Sequence, residues 1–136
     1  MAGTANSIIT PQTPKSAIAA TTTANSTYTT SPTNTVLLVT AGANGGRLTR
    51  LHAIPIATVT TANQLQVFRS QDAGVTKFFA DSALMATYTM AQTTAVPKTD
   101  LGYSDDSPMI LLPGERLYVA AGQSQAVAWV AEWADY

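Results

Sequence analysis

The chain has 136 residues, 46% of them hydrophobic, 11% charged and none of them cysteine, with a net charge of −1. That length fits one domain with its own core, and the lack of cysteine excludes disulfides and thiolate metal sites. The charge balance lacks the basic footprint that nucleic acid demands, and no apolar stretch approaches the roughly 20 residues needed to cross a bilayer.

A typical soluble domain is about 25% charged. Here Thr, Ala, Ser, Asn and Gln fill the deficit. Such a surface loses little on desolvation compared with a charged one, which suits a protein packed against other protein copies. The start, MAGTANSIITPQTPK, has neither the basic nor the long apolar region of a secretory signal. Synthesis in a cytoplasm, without export by that route, is the expectation.

Residues 1–33 differ from the rest. AATTTANSTYTTSPTNT holds too few apolar residues for a core, and Pro11, Pro14 and Pro32 forbid helix and favour extended backbone. Ile8-Ile9 and Ala17 to Ala20 are short apolar islands. The pattern predicts an extended N-terminal arm with one or two strands, followed by a β-sandwich over 34–136. Ordering about 30 residues costs about 30–60 kcal/mol of backbone entropy. The arm is therefore either mobile or held against a partner or its own sandwich. Removal of residues 1–30 is expected to leave a folded body.

Val36 to Val39 is a strong strand signal, and Asn44-Gly45 is a tight-turn signal. In RLTRLHAIPIATV the period of two puts Leu48, Arg50, His52, Ile54 and Ile56 on one face. The alternation is imperfect, and Pro55 suggests an edge or a bulge. Gln64 to Arg69 and Val75 to Ala80 form a natural hairpin around Gln71 to Gly74. Leu84, Ala86, Tyr88 and Met90 share a strand face, although Ala83 to Ala86 also favours helix. Thr93 to Asp106 is a polar connection. Three apolar runs follow, Met109 to Leu112, Leu117 to Ala121 and Ala126 to Trp133, parted by Pro113-Gly114 and Gly122 to Gln125. They read as sequential antiparallel strands. About eight short strands with little helix predict an all-β fold, a jelly-roll-like β-sandwich.

Candidate chemistry is sparse. His52 is the single histidine and has no Cys or second His to join it, so it reads as structural. Asp100, Asp105 and Asp106 lack EF-hand spacing and read as a solvated turn rather than a Ca²⁺ site. Asp81, Glu115, Glu132 and Asp135 stand isolated in sequence, with nothing to mark a glycosidase pair. The glycines of Ala41 to Gly46 lack the Lys-Ser/Thr ending of a phosphate loop. Trp129 and Trp133 share a face and read as core, the alternative being a sugar-stacking stripe. No catalytic residue, cofactor or metal site is expected.

Three segments together resemble a family of small tailed-phage virion proteins. They are Gln12 to Lys15, Leu38 to Pro55 (LVTAGANGGRLTRLHAIP), and LLPGERLYVAAG with the closing Ala131 to Tyr136 (AEWADY). In that family a Thr-Ala-Gly-Ala-Asn-Gly loop follows the first strong strand. A Leu-Pro-x-Gly-x-x-Leu-x-Val pair and an Ala-Glu-Gly-Gly-Asp ending close the domain. Here Trp133-Ala134 replaces the two glycines, and Pro113-Gly114 lacks the spacer. The resemblance implies a jelly-roll-like sandwich on a virion surface and carries over no catalytic residue.

The reading that follows is a capsid decoration (cement) protein, not an enzyme, on the head of a phage and made in the host bacterial cytoplasm. Its partners would be the major capsid protein and sister copies in a homotrimer, with no nucleic acid and no membrane. Ile8, Ile9, Pro11, Pro14 and Ile18 are the expected interface residues of the arm. The alternative is a tail, baseplate or head-fibre protein that binds host glycans. A small carbohydrate-active enzyme is a third and weaker reading.

Overall fold

The computed structural model describes residues 13–136. Among them are nine strands and no helix. The first sheet runs β1 (Thr13–Thr21), β9 (Val127–Asp135), β3 (Gly46–Pro55) and β6 (Thr99–Asp100), with β7 (Met109–Leu111) also on β3. The second runs β2 (Val36–Thr40), β8 (Arg116–Ala121), β4 (Asn63–Ser70) and β5 (Phe78–Met85). Strands β6 and β7 pair with opposite ends of β3 and so share one strand position. Each sheet then has four positions, and the chain crosses between them in jelly-roll order.

Burial explains the strands. In β9, Val127, Trp129, Ala131 and Trp133 face the core, while Ala128, Val130, Glu132 and Ala134 face out. Leu48, Leu51, Leu65, Val67, Leu117, Val119 and Trp129 fill the space between the sheets. Both tryptophans belong to this core, as their spacing predicts.

The imperfect alternation of β3 has a cause. A bulge between Leu48 and Arg50 inserts Thr49. Leu48 therefore turns inward with Leu51 and Ala53, while Arg50, His52 and Ile54 face out. The expectation that Leu48 shares their face is corrected, because one inserted residue inverts a period-two phase. The Ile56 N–H donates to the Ala126 carbonyl at 3.1 Å. Alternation then points the Pro55 nitrogen away from β9, to a side where β6 pairs only with His52 and Ala53.

Two further expectations change. The three terminal runs are real strands but not neighbours: β7 and β9 pair with β3, whereas β8 pairs with β2 and β4. Each turn carries the chain from one sheet to the other, because both inner faces need apolar cover. The hairpin partner of β4 runs to Met85, so Ala83 to Met85 is strand, and beyond it only Tyr88 makes a bridge, to Val59.

Strand β1 lies along β9 over its full length, from Thr13 opposite Asp135 to Thr21 opposite Val127. The Trp129 indole N–H donates to the Thr21 hydroxyl at 3.0 Å inside the core. Residues 22–35 then cross the outer face of the second sheet. Gln66 and Phe68 point out of that sheet and are nevertheless buried. Asn25 Nδ2 donates to Gln66 Oε1 at 2.8 Å, and Asn25 Oδ1 accepts the Thr27 and Thr33 N–H groups. Phe79 packs on Phe68 and Tyr28, with centroids 5.3 and 5.1 Å away. Residues 13–33, assigned by composition to the arm, are thus held on their own sandwich. Main-chain pairing holds 13–21 and the Asn25 and Tyr28 side chains hold the rest, and neither leaves a mark on composition.

Candidate functional site

The segments that carry the family resemblance meet at one carboxylate. Asp135 is buried at the end of β9. Its Oδ2 lies 2.9 Å from Lys15 Nζ. Its Oδ1 accepts the Gly42 N–H at 3.0 Å and the Trp133 indole N–H at 3.2 Å. The Gly114 N–H donates to the Gly42 carbonyl at 3.0 Å, and the Tyr136 N–H to that of Gly45 at 3.1 Å. The glycines are steric necessities here. Gly45 has φ +83°, and a Cβ on it would stand 2.6 Å from the Leu111 carbonyl oxygen; one on Gly46 would stand 2.9 Å from Asp135 Oδ1. The motif residues tie β1, the 41–46 loop, the 112–115 turn and the chain end together.

Glu115 forms a second buried node, and sequence isolation hid it. Arg69 Nε and Nη2 grip its two oxygens at 2.6 and 2.8 Å, and the Leu112 N–H donates to Oε1 at 2.8 Å. Burial alone would raise both carboxyls. The partners outweigh it, Arg69 and the Leu112 N–H at Glu115, Lys15 and the Gly42 N–H at Asp135, so both lie below their ordinary values of 4.5 and 3.8. A depressed folded pKa contributes stability above the ordinary value and loses it as pH falls through the folded one. The melting temperature should therefore decline below about pH 4. Asp135→Asn should lower stability by about 1–2 kcal/mol, the lower range for a charged hydrogen bond with a half-exposed lysine partner. It should also shrink the melting-temperature difference between pH 7 and pH 3. An unchanged pH profile would contradict the assignment.

The other titratable side chains do not converge. Burial, then Lys98 and Arg50, push the His52 pKa down. Asp100 Oδ1 accepts the Gly102 N–H at 2.8 Å in a turn. Asp81 accepts the Tyr103 hydroxyl at 2.6 Å, and burial, then that bond, raises the phenol pKa. Among the described residues, no three His, Asp or Glu side chains are grouped to hold a metal ion.

What remains is a surface. On the outer face of the first sheet, β1 presents Pro14, Ser16, Ile18 and Ala20. They stand opposite Ala134, Glu132, Val130 and Ala128 of β9. Across β9, β3 adds Arg47, Arg50, His52 and Ile54. Ile18 is 78% exposed. With Ala20, Ala128, Val130 and Ile54 it makes an apolar strip over three strands. The other end of the face is polar. There Arg50 lies 3.7 Å from Glu132, and an open groove of ≈ 470 Å³ runs between Pro14, Ser16, Arg47 and Glu132. Two of the expected interface residues, Pro14 and Ile18, thus share one face, while Ile8, Ile9 and Pro11 lie outside the described residues. Val130, Ala128 and Ile54 were missed as surface candidates. Their outward phase was readable in β9, but the β3 bulge concealed it for Ile54.

No protein-family model, no curated protein and no solved structure matches the chain. No helix among the described residues is long and apolar enough to cross a membrane.

Proposed function

We propose that the chain is a virion structural protein of tailed-phage type, a capsid decoration protein that seats the outer face of its first sheet on the head. The fold alone does not choose this, since jelly rolls also serve lectins and enzymes. The apolar strip that begins at the exposed Ile18 on the edge strand carries the reading. It borders the Arg50–Glu132 ion pair, and its aliphatic members are desolvated at little cost. Sister copies would close a symmetric ring, as a homotrimer, and many linked copies give avidity from modest contacts. The resemblance to small virion proteins agrees with this use, and its motif residues act as ties rather than as reagents.

The test is binding of the purified protein to undecorated heads of the phage that encodes it. Ile18→Asp should melt within a few degrees of wild type, because an exposed substitution shifts stability by about 1 kcal/mol or less. It should weaken head binding at least about tenfold, equivalent to about 1.4 kcal/mol. Full affinity in this variant would reject the face. A few copies per virion instead of hundreds would favour the tail or fibre reading.

A further inference from the structure

A second apolar site lies on the opposite side of the sandwich, where both sheets end. Among the described residues, no strand pairs with the far edges of β5 and β7. Between them is a cleft of ≈ 470 Å³ lined by Phe78, Ala80, Ile110, Leu112, Gln71 and Arg69. Phe78, Ile110 and Leu112 are 61%, 53% and 48% exposed. Its one charge, Arg69, is already neutralised by Glu115 and donates to the Ile110 carbonyl at 2.7 Å. The cleft therefore suits an uncharged, aliphatic, extended segment, with the outer edge of β5 beside it to accept main-chain bonds.

Residues 1–12, MAGTANSIITPQ, carry no charged side chain and one aliphatic pair, Ile8-Ile9. The chain enters β1 at Thr13, beside Asp135, at the same end of the sandwich as Leu111 and Gly46. From β1 the far edge at β7 is three strand spacings away, about 14 Å. Ile9 precedes Thr13 by four residues, a reach of about 14 Å when straight. Filling the chain's own cleft would need a right-angle turn off β1 followed by a nearly straight path, and Pro11 and Pro14 disfavour the helical backbone of a tight turn in the residues before them. The chain's own cleft is thus reached only with the segment pulled taut across the end of the body, a limit that a neighbour's cleft does not set.

We propose that Ile8 and Ile9 of one copy dock in the β5–β7 cleft of a second copy, head to tail, the arrangement that closes rings. This deepens the self-association part of the reading above and does not depend on what the Ile18 face covers.

The chain has no cysteine, so introduced thiols report without background. Full-length Ile8→Cys and Phe78→Cys variants, one carrying a size tag, are mixed and oxidised without phage particles. The expected product is the mixed disulfide dimer as the major species, and the double variant should give a ladder of linked chains. A purely intramolecular disulfide in the double variant, or no cross-link, would overturn the proposal. As a second measurement, sedimentation at high micromolar concentration should show wild-type oligomers and a single-chain mass for Ile8→Asp/Ile9→Asp. Wild type sedimenting as a monomer would also overturn it. These outcomes involve no heads, so their failure leaves the Ile18 face standing, and the converse holds.

Discussion

Removal of residues 1–30, which composition alone would tolerate, should abolish cooperative folding because it takes β1 out of the sheet, whereas removal of residues 1–12 should leave the melting temperature within a few degrees. The longer deletion takes away β1, whose nine residues pair with β9. Strand β9 then becomes a long open edge, rich in apolar residues, which invites aggregation. The Thr21 acceptor of the Trp129 indole goes too. On the second sheet, Gln66 loses its Asn25 partner, and Phe79, which packs on Phe68, loses Tyr28. Together these losses are on the order of 5 kcal/mol or more, comparable to the whole stability of a small domain. The check is thermal melting followed by circular dichroism, with size-exclusion chromatography. If the 31–136 fragment melted cooperatively near the full-length value, residues 13–30 would be ornament and the strand assignment would fall.

Glu115→Ala should be the most damaging single substitution considered, at about 3 kcal/mol. Removing one partner of a buried ion pair strands the other, typically at about 3–5 kcal/mol. The Arg69 side chain is 30% exposed, against 0% for Glu115, which places the effect at the lower end. For a chain of this size that is roughly a 10 °C fall in melting temperature. The turn that redirects the chain from β7 to β8 also loses the carboxylate that binds the Leu112 N–H. The pair Arg69→Met/Glu115→Leu should be less destabilised than Glu115→Ala, since neither charge is then left alone. Below about pH 4 the gap between wild type and Glu115→Ala should narrow, because the wild-type carboxyl is itself protonated as pH falls through its depressed pKa. A loss under about 1 kcal/mol at pH 7 would show that Arg69 finds water instead.

Several elements were legible before any coordinates. Gln64 to Arg69 alternates because one face of β4 is core, and Asn44-Gly45 marks a turn that glycine alone can make. Trp129 and Trp133 read as core for the same period-two reason. The site was less legible. Ile18 and Pro14 are visible as arm residues, but nothing local tells that Val130 and Ile54 flank them. Glu115 and Asp135 look solitary because Arg69 and Lys15 are distant in the chain. An arginine at an inward position of an alternating strand, and a carboxylate just after a Pro-Gly turn, were the available hints.

By itself the sequence determined class and element type: all strand, low charge, turns at the glycines and prolines. Those signals act between residues a few positions apart, through φ preference and side-chain alternation. Only the tertiary structure decided which strands are neighbours, that residues 13–33 belong to the body, and which outward residues share a surface. These depend on pairing between distant segments and on bulges that invert phase, and main-chain hydrogen bonds are nearly the same for every residue type.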